Sequence, residues 1–415
     1  MRHALIIGII LVLSLSACSQ GEENPPKWWK GNLHTHSLWS DGDDYPEMII
    51  DWYKEQGYHF LSLSDHNILS EGDRWIDTTR NNSGTRAYTA YVDRFGEDWV
   101  ETRMDSSGYQ VRLKTLNEFR PEFEEEGAFL LIQSEEISDG FDGKPIHINA
   151  TNVQELIEPQ QGGTLREVIQ NNVDAVLDQR ERLGIKMFPH INHPNFGWAI
   201  TAEDLISLMG EQFFEVYNGH PAVNNYGDEN RPGLEQMWDI ITTRRIIQGR
   251  PIMYGMAVDD SHNYHEVAIE RANSGRAWVM VKSDSLTVTG LIDAMERGDF
   301  YGSTGVELVD VKVSNRRIAI EIKEDEGMTY ETHFIGTRVN HDSTSTAVEH
   351  EGSYVTRSYS PGIGEIMAVV EGNNPVYEFT GDELYVRAKV ISSKLKVNPY
   401  REGETEVAWT QPVVP

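Results

Sequence analysis

Phe60-Leu61-Ser62-Leu63-Ser64-Asp65-His66-Asn67 is the stretch that decides the fold, because a short apolar run ends there in a cluster of polar side chains. The run has the length and composition of a buried strand. Further runs of this kind occupy residues 129–133, 185–188, 213–217 and 252–256, and amphipathic stretches at 45–56, 165–183 and 286–297 read as helices. This alternation predicts an α/β fold of repeated strand-helix units around a parallel sheet.

The pattern changes after Gly305, where apolar and polar residues alternate with period two, as in residues 309–313 and 318–322. Such alternation is typical of antiparallel strands with one buried face, and it predicts a β-sandwich-like domain. We therefore divide the chain into a signal segment (1–18), a tether (19–28), an α/β domain (29–305) and a C-terminal β domain (306–415).

The N-terminal segment joins a charged start to an apolar run that ends in Leu15-Ser16-Ala17-Cys18. The run is too short to span a bilayer and is typical of a secretory signal. Its end resembles the lipobox of bacterial lipoproteins, which implies a lipidated Cys18 as the membrane anchor, with a plain signal peptide as the alternative. The expected location is the cell envelope, at the outer membrane, facing the periplasm or the exterior. Cys18 is the only cysteine, which excludes disulfides and cysteine metal ligands.

The formal charge of −30 argues against a nucleic-acid partner, because binding to a phosphate backbone rests on Lys and Arg. The chain also lacks a Gly-rich phosphate loop before a helix and a Gly-x-Ser-x-Gly elbow. The sequence therefore lacks the motifs that nucleoside-triphosphate binding and serine hydrolysis require.

Ten of the fourteen histidines fall between residues 34 and 265, and most follow an apolar run. His34-Thr35-His36 and Asp260-Ser261-His262 each place two ligand-type side chains at i and i+2, which lie on the same face of a strand. Glu135-Glu136, His147 and His193 lie within or after other predicted strands. Because parallel strands of a barrel end at one mouth, we expect these side chains to meet there.

These motifs resemble the PHP family, named for polymerase and histidinol phosphatase, over residues 31–305. The resemblance rests on His34-Thr35-His36, Ser40-Asp41-Gly42, Ser64-Asp65-His66-Asn67, Asn192-His193-Pro194 and Asp259-Asp260-Ser261-His262. It implies a distorted seven-stranded α/β barrel with a trinuclear metal site. Gly143-Lys144-Pro145-Ile146-His147 and Ala408-Trp409-Thr410-Gln411-Pro412 resemble, more narrowly, the carbaryl-hydrolase-like branch.

The resemblance also implies a division of the ligands among two or three divalent ions. His34, His36, Glu136 and Asp260 would hold the first, Glu136 would bridge to a second held by His147 and His193, and Asp41, His66 and His262 would hold a third. Imidazole and carboxylate ligands suit Zn, Mn or Fe. Glu135 remains the alternative to Glu136 as the bridging ligand, and Asp65 and Asp259 are expected to orient ligands.

The expected activity is hydrolysis by a hydroxide that bridges two metals. Small or surface-derived phosphate esters are the leading substrate class, since a cationic site attracts a small anionic molecule. His220, in a loop after another predicted strand, is expected to contact the substrate or donate a proton. A carbamate, ester or amide hydrolase is one alternative, and a non-catalytic lipoprotein that binds a ligand is the other.

Overall fold

The computed structural model describes residues 27–80, 83–106 and 108–415. The predicted signal segment, Cys18 and the tether up to residue 26 lie outside the described residues. In the part of the chain that is described, no helix is long and apolar enough to span a membrane.

The elements up to residue 303 include both strands and helices. In chain order they are β1 (Lys27–Asn32), α1 (Pro46–Glu55), β2 (Phe60–Leu63), β3 (Arg74–Asp77), α2 (Thr85–Phe95), β4 (Thr102–Asp105), β5 (Gly108–Leu113), α3 (Leu116–Phe123), β6 (Leu130–Phe141), β7 (Lys144–Thr151), α4 (Leu165–Leu183), β8 (Phe188–Ile191), α5 (Ala202–Ile206), β9 (Phe213–Asn218), α6 (Leu234–Ile247), β10 (Tyr254–Val258), β11 (Trp278–Ser283), α7 (Val288–Glu296) and β12 (Phe300–Ser303).

The remaining elements described are strands. They are β13 (Leu308–Val313), β14 (Arg317–Ile322), β15 (Tyr330–Arg338), β16 (Ser345–His350), β17 (Ser353–Tyr359), β18 (Glu365–Glu371), β19 (Val376–Glu378), β20 (Glu383–Leu395) and β21 (Thr405–Thr410).

The three predicted helices are confirmed as α1, α4 and α7, and local chemistry explains their ends. Pro46 opens α1, where its missing N–H costs no hydrogen bond. Thr164 caps α4 by accepting a hydrogen bond from Glu167 N, and Gly184 ends it with a left-handed φ of +65°. The strand predicted at 185–188 begins only at Phe188, because residues 185–187 belong to the connection from α4.

A large mixed sheet forms the centre of the molecule, with the order β10-β9-β8-β7-β6-β2-β1-β11-β12-β21-β20-β15-β18. Strands β1, β2 and β6 run parallel to one another, as do β8, β9 and β10. Strand β7 is antiparallel to both neighbours because a tight hairpin at Asp142-Gly143, with φ of +50° and +75°, joins it to β6. The expected parallel sheet is therefore interrupted by this hairpin, and on the other side of β1 it continues as the antiparallel strands β11 and β12.

The predicted seven-stranded ring is not closed by hydrogen bonds among the described strands, since the ladder begins at β10 and ends at β18. The sheet nevertheless curls back on itself. A Cβ atom on Gly302 of β12 would lie 2.9 Å from Cβ of Ala257 on β10, so this close approach of two strands requires glycine.

Four of the strands after residue 305, β15, β18, β20 and β21, extend the same sheet, and β16 and β17 pair separately. The last described strand, β21, lies inside it between β12 and β20. A second sheet, ordered β13-β14-β19, packs its Ile318 and Ile320 against Phe334 and Ala388 of the large sheet. The two parts of the chain also share a buried ion pair, in which Arg387 Nε and Nη2 of β20 each lie 2.7 Å from a carboxylate oxygen of Asp239 on α6.

Residues 69–116, whose fold the sequence pattern does not define, form an insertion made of the three-stranded sheet β3-β5-β4 and helix α2. Its apolar face, including Ile76 and Val111, packs on Leu38, Trp39 and Tyr45. The insertion therefore covers the segment that follows β1.

Candidate metal centre

The polar residues that end the central strands lie at one edge of the sheet. Backbone bridges extend the strands there, pairing Thr35 with Ser261 and His66 with Glu136. His36 N donates to Ser261 O over 3.0 Å, and Glu136 N donates to Asp65 O over 3.1 Å. These bonds bring side chains from four distant parts of the sequence into one cluster, as the spacing predicts.

The deep group consists of His34, His36, Glu136 and Asp260, with side chains no more than 6% exposed. The Nε2 atoms of the two histidines are 3.1 Å apart, and each lies 3.3 Å from Asp260 Oδ1. The carboxylate of Glu136 contacts both histidines, with Oε1 3.5 Å from His34 Nε2 and Oε2 3.3 Å from His36 Nε2. Ligands about 2.0–2.1 Å from a tetrahedral metal are about 3.3 Å apart, so the separations between each carboxylate and the two histidines suit ligands of one ion.

Glu136 also reaches the predicted second group. Its Oε1 lies 3.0 Å from His147 Nδ1 and 3.4 Å from His193 Nε2. The other ligand-type residues near His147, however, differ from those near His193. His147 joins a possible site with His66 and Glu136, whereas His193 joins one with His34 and Asp260. His147 and His193 would therefore hold a second ion together with Glu136, the carboxylate that both histidines contact.

The rim group consists of Asp41, His66 and His262. Asp41 Oδ1 is 3.6 Å from His66 Nε2 and 3.4 Å from His262 Nε2. His36 also faces this group, with Nδ1 3.7 Å from Asp41 Oδ1. Unlike the deep group it is open, because the Asp41 side chain is 56% exposed.

Glu136 Oε2 lies 2.8 Å from His66 Nδ1, and His147 Nδ1 lies 3.0 Å from Glu136 Oε1, but neither buried atom has a partner in hydrogen-bond geometry. A buried polar atom without a partner is costly, and a bound cation would remove that cost at both positions. The donor set contains nitrogen and oxygen only, which fits Zn, Mn or Fe. The residues present therefore fit divalent metal ions.

The pKa values of the cluster also favour bound metal ions. Burial alone would raise the pKa of Glu136, but the surrounding His66, His147 and His34 hold it well below its usual range. Burial alone would lower the pKa of His66, yet the carboxylates of Glu136 and Asp41 raise it to about 11. The ionised carboxylates thus demand positive charge, which metal ions supply in exchange for protons.

The structure separates the two adjacent glutamates that the sequence leaves as alternatives. Successive side chains of a strand point to opposite faces. Glu136 faces the histidines, whereas Glu135 Oε1 accepts a hydrogen bond from Ile157 N over 2.7 Å. Burial raises the pKa of Glu135 to about 8, so this side chain is largely protonated at neutral pH. Glu136 is the glutamate in position to bridge.

Glu215 is a member of the site that the sequence analysis missed. It lies in β9, and its Oε1 is 2.6 Å from His34 Nδ1 and 3.3 Å from His190 Nε2. Its Oε2 accepts from His193 N over 2.7 Å. A carboxylate on the far nitrogen of a ligand histidine fixes the ring and its tautomer. A charged residue inside the apolar run Phe213-Phe214-Glu215-Val216-Tyr217 was the available sign.

Asp65 and Asp259, which neighbour ligand residues in the sequence, accept hydrogen bonds from backbone N–H and hydroxyl groups. Asp65 accepts from Ser37 N over 2.8 Å and from Ser40 Oγ over 2.5 Å. Asp259 accepts from Tyr53 Oη over 2.7 Å and from Arg276 N over 2.6 Å. Both therefore fix the segments that carry ligands, as a supporting shell does.

His220 lies beside the rim group, with its ring centroid 5.4 Å from that of His262. Its Nδ1 accepts a hydrogen bond from Ala222 N over 3.1 Å, so the ring proton is on Nε2. Burial lowers the pKa of His220 to about 4. The neutral ring can donate a hydrogen bond from Nε2, but it does not carry a second proton at neutral pH.

The loop that carries His220 is braced from the C-terminal region. Arg276 Nη1 donates to Gly219 O over 2.7 Å, while Arg276 Nε donates to Asn398 Oδ1 over 3.1 Å. Tyr400 Oη donates to Val223 O over 2.5 Å. The connection between β20 and β21 thus fixes one wall of the site.

Comparisons with known proteins give distant likenesses only. No protein-family model matches the chain, and no curated protein matches it. Among solved structures, a two-domain protein from Bacteroides vulgatus that contains a predicted PHP-like metal-dependent phosphoesterase is 13% identical, with 99% of this chain and 100% of that chain covered and a TM-score of 0.40.

Two further structures match over smaller shares of the chain. A predicted metal-dependent phosphoesterase from Bifidobacterium adolescentis is 12% identical, with 66% of this chain and 97% of that chain covered and a TM-score of 0.31. An amidohydrolase from Chromobacterium violaceum, with bound sulfate, is 14% identical, with 57% and 88% covered and a TM-score of 0.28.

Proposed function

We propose that the chain is a metal-dependent hydrolase of small or surface-derived phosphate esters. One observation carries the proposal: a single buried carboxylate, that of Glu136, lies within 3.5 Å of the ring nitrogens of five histidines. Such a constellation is expensive to bury and has no evident structural use, whereas it fits a cluster of ions that share one bridging ligand.

Bound divalent ions would supply Lewis acidity and lower the pKa of water, so the chain needs no side-chain nucleophile. The residues of the chain set the charge around them. Glu136, Asp260, Asp41 and Glu215 are all ionised, since the pKa of each is held below its usual value. Three divalent ions against these four carboxylates leave a net charge of about +2. A site of this charge favours an anionic substrate.

The remaining residues shape the approach. The open side lies at Asp41 and His66, so the ester enters from the rim. Phe196 forms an apolar wall, with its ring centroid 5.1 Å from that of His193 and 6.2 Å from that of His220. His220 would donate a hydrogen bond from Nε2 to the ester oxygen and stabilise charge that develops there.

The resemblance of the motifs to the PHP family supports phosphate esters over other substrates, and the curled sheet supports a distorted form of that family's barrel. The narrower resemblance to the carbaryl-hydrolase-like branch supports carbamates. The two substrate classes are distinguished by the experiment below.

The test is a substrate screen on purified protein loaded with Mn or Zn, using phosphomonoesters, phosphodiesters and aryl carbamates. We expect two to three ions per chain by elemental analysis and turnover of a phosphate ester that chelation removes and metal restores. Turnover of carbamates alone would overturn the phosphoesterase assignment. Less than one ion per chain after metal-replete expression, without uptake of added Mn or Zn, would overturn the metal centre.

We also propose that lipidated Cys18 anchors the enzyme in the cell envelope, at the outer membrane. The support is the lipobox-like segment Leu15-Ser16-Ala17-Cys18. Cys18→Ser should move the protein from the membrane to the soluble fraction and leave turnover unchanged, because the anchor and the metal cluster lie in separate segments. Membrane retention of the Cys18→Ser protein would refute this anchor.

A further inference from the structure

Two arginines of the insertion lie at the rim of the metal centre. Arg74 and Ile76 point to the same face of β3, because they are two residues apart on a strand. Ile76 packs in the cluster that contains Leu38 and Trp39, so this face is turned toward the segment that carries Asp41. The Arg74 guanidinium carbon lies 5.8 Å from the centroid of the Trp39 ring.

Arg80 reaches the same segment. Its Nη2 donates to Ser40 O over 2.6 Å, and the Ser40 hydroxyl oxygen lies 3.3 Å from Asp41 Oδ1. Both guanidinium groups are therefore next to the exposed edge of the rim group, at Trp39-Ser40-Asp41.

No carboxylate of the described residues is in ion-pair contact with either guanidinium group. Among the described residues, neither arginine forms an ion pair, and the Arg74 side chain forms no hydrogen bond. The carboxylate that most influences Arg74 is Asp65, whose oxygens already accept hydrogen bonds from Ser37 and Ser40. Burial and the neighbouring charge of Arg80 lower the pKa of Arg74, although it stays charged at neutral pH.

Two like charges held together at the edge of a site disfavour each other, and an oxyanion between them reverses that effect. Planar guanidinium groups bind carboxylate and phosphate oxygens with two parallel hydrogen bonds.

We propose that Arg74 and Arg80 form an anion-binding subsite for a second anionic group of the substrate. This inference rests on the proposed function, because the metal cluster would hold the scissile phosphate. The arginines lie beside Trp39 and Ser40, next to the exposed Asp41 side chain, so they would contact the part of the ester that extends away from the metal cluster. The substrate is thus a phosphate ester whose alcohol carries a carboxylate or a further phosphate.

Matched ligands test the subsite. Phenyl phosphate and 4-carboxyphenyl phosphate share one ester and differ in the second anion, and the corresponding phosphonates resist hydrolysis and report binding alone. We expect the wild-type metal-loaded protein to bind the carboxylate-bearing member about tenfold more tightly, as for one charge-assisted contact. This preference should shrink at high salt, because both arginines are partly exposed.

Arg74→Gln is the cleanest variant, because the Arg74 side chain makes no hydrogen bond within the described protein. It should abolish the preference for the second anion while leaving the affinity for phenylphosphonate and the metal content unchanged. Arg74→Lys keeps the positive charge but loses the planar guanidinium group that can donate two parallel hydrogen bonds. This variant should therefore retain part of the preference for the second anion. Arg103→Gln is the matched control, since Arg103 stacks over Trp75 of the same insertion at 4.2 Å and should leave the preference intact.

An unchanged preference in Arg74→Gln would overturn the subsite, as would equal weakening of both phosphonates. Failure of the proposed function has a different signature. If no phosphate ester is hydrolysed but the phosphonate preference still depends on Arg74, the subsite stands and the phosphoesterase assignment falls.

Discussion

The deep group and the rim group use the same kinds of ligand in opposite surroundings. In the deep group, His34 and His36 are fully buried, and outer partners hold the ligands in place: Glu215 binds His34, Asn192 binds Glu136 and Asn218 binds Asp260. The rim group is closed on one side only, and its carboxylate, Asp41, is 56% exposed. Enclosure and outer partners preorganise a metal site, so we expect the deep ion to be retained and the rim ion to exchange.

The largest expected effect is at the carboxylate that joins the groups. Glu136→Gln should lower turnover by about 1000-fold or more and reduce the metal content, because the bridging charge is lost. Glu135→Gln is its matched control on the opposite face of the strand, where the glutamate is already largely neutral at pH 7. Elemental analysis, turnover and circular dichroism of both variants check this. Equal metal loss in the two would remove the distinction between the faces.

Glu215→Gln tests whether outer partners secure the deep ion. Loss of the carboxylate on His34 Nδ1 should weaken metal affinity by about 10-fold to 100-fold, with part of the turnover restored at high metal concentration. Competition with a chelator of known affinity measures this. Glu211→Gln is the control, since Glu211 is equally buried near the same strand but its pKa is raised by burial. If both variants bind metal like the wild type, Glu215 has only a packing role.

Asp41→Asn tests the rim. It should remove one ion per chain and spare the deep group, lowering turnover by about 10-fold to 100-fold. The deep ion should still resist chelation. Loss of all metal from Asp41→Asn would show that the two groups form a single cooperative site, and the contrast between them would fall.

His220→Ala should have the smallest effect. A single neutral hydrogen bond contributes about 0.5–1.5 kcal/mol, so turnover should fall by about tenfold at most, with metal content unchanged. The pH profile near neutrality should keep its shape, because a group whose pKa is lowered to about 4 is already deprotonated there. Loss of metal from this variant would instead make His220 a ligand, and a changed profile would restore its expected role as a proton donor.

The sequence was most informative where chemistry and strand ends coincide. His34, His36, Asp260 and His262 could be assigned to one mouth because the i, i+2 spacing and the end of an apolar run are local features. The role of Glu215 could not be predicted from the sequence, because it depends on a contact with His34. That residue is 181 positions away and comes close only in the folded sheet.

The direction and pairing of the strands were harder to predict from the sequence. The antiparallel direction of β7 depends on the left-handed conformations at Asp142-Gly143, a turn that the strand-helix pattern does not weigh. The alternation after Gly305 identified strands but could not show that four of them, β15, β18, β20 and β21, join the first sheet, since strand pairing is a property of tertiary structure.

The position of β21 inside the large sheet has a consequence for how the chain matures. During synthesis, every proposed metal ligand emerges before β21 does, yet β12 and β20 have free edges until β21 inserts between them. Unpaired edges of this kind recruit other chains. The newly made protein therefore passes through an interval in which its metal ligands are complete and its sheet is not, and a chaperone or rapid release of the C-terminal strand would shorten that interval.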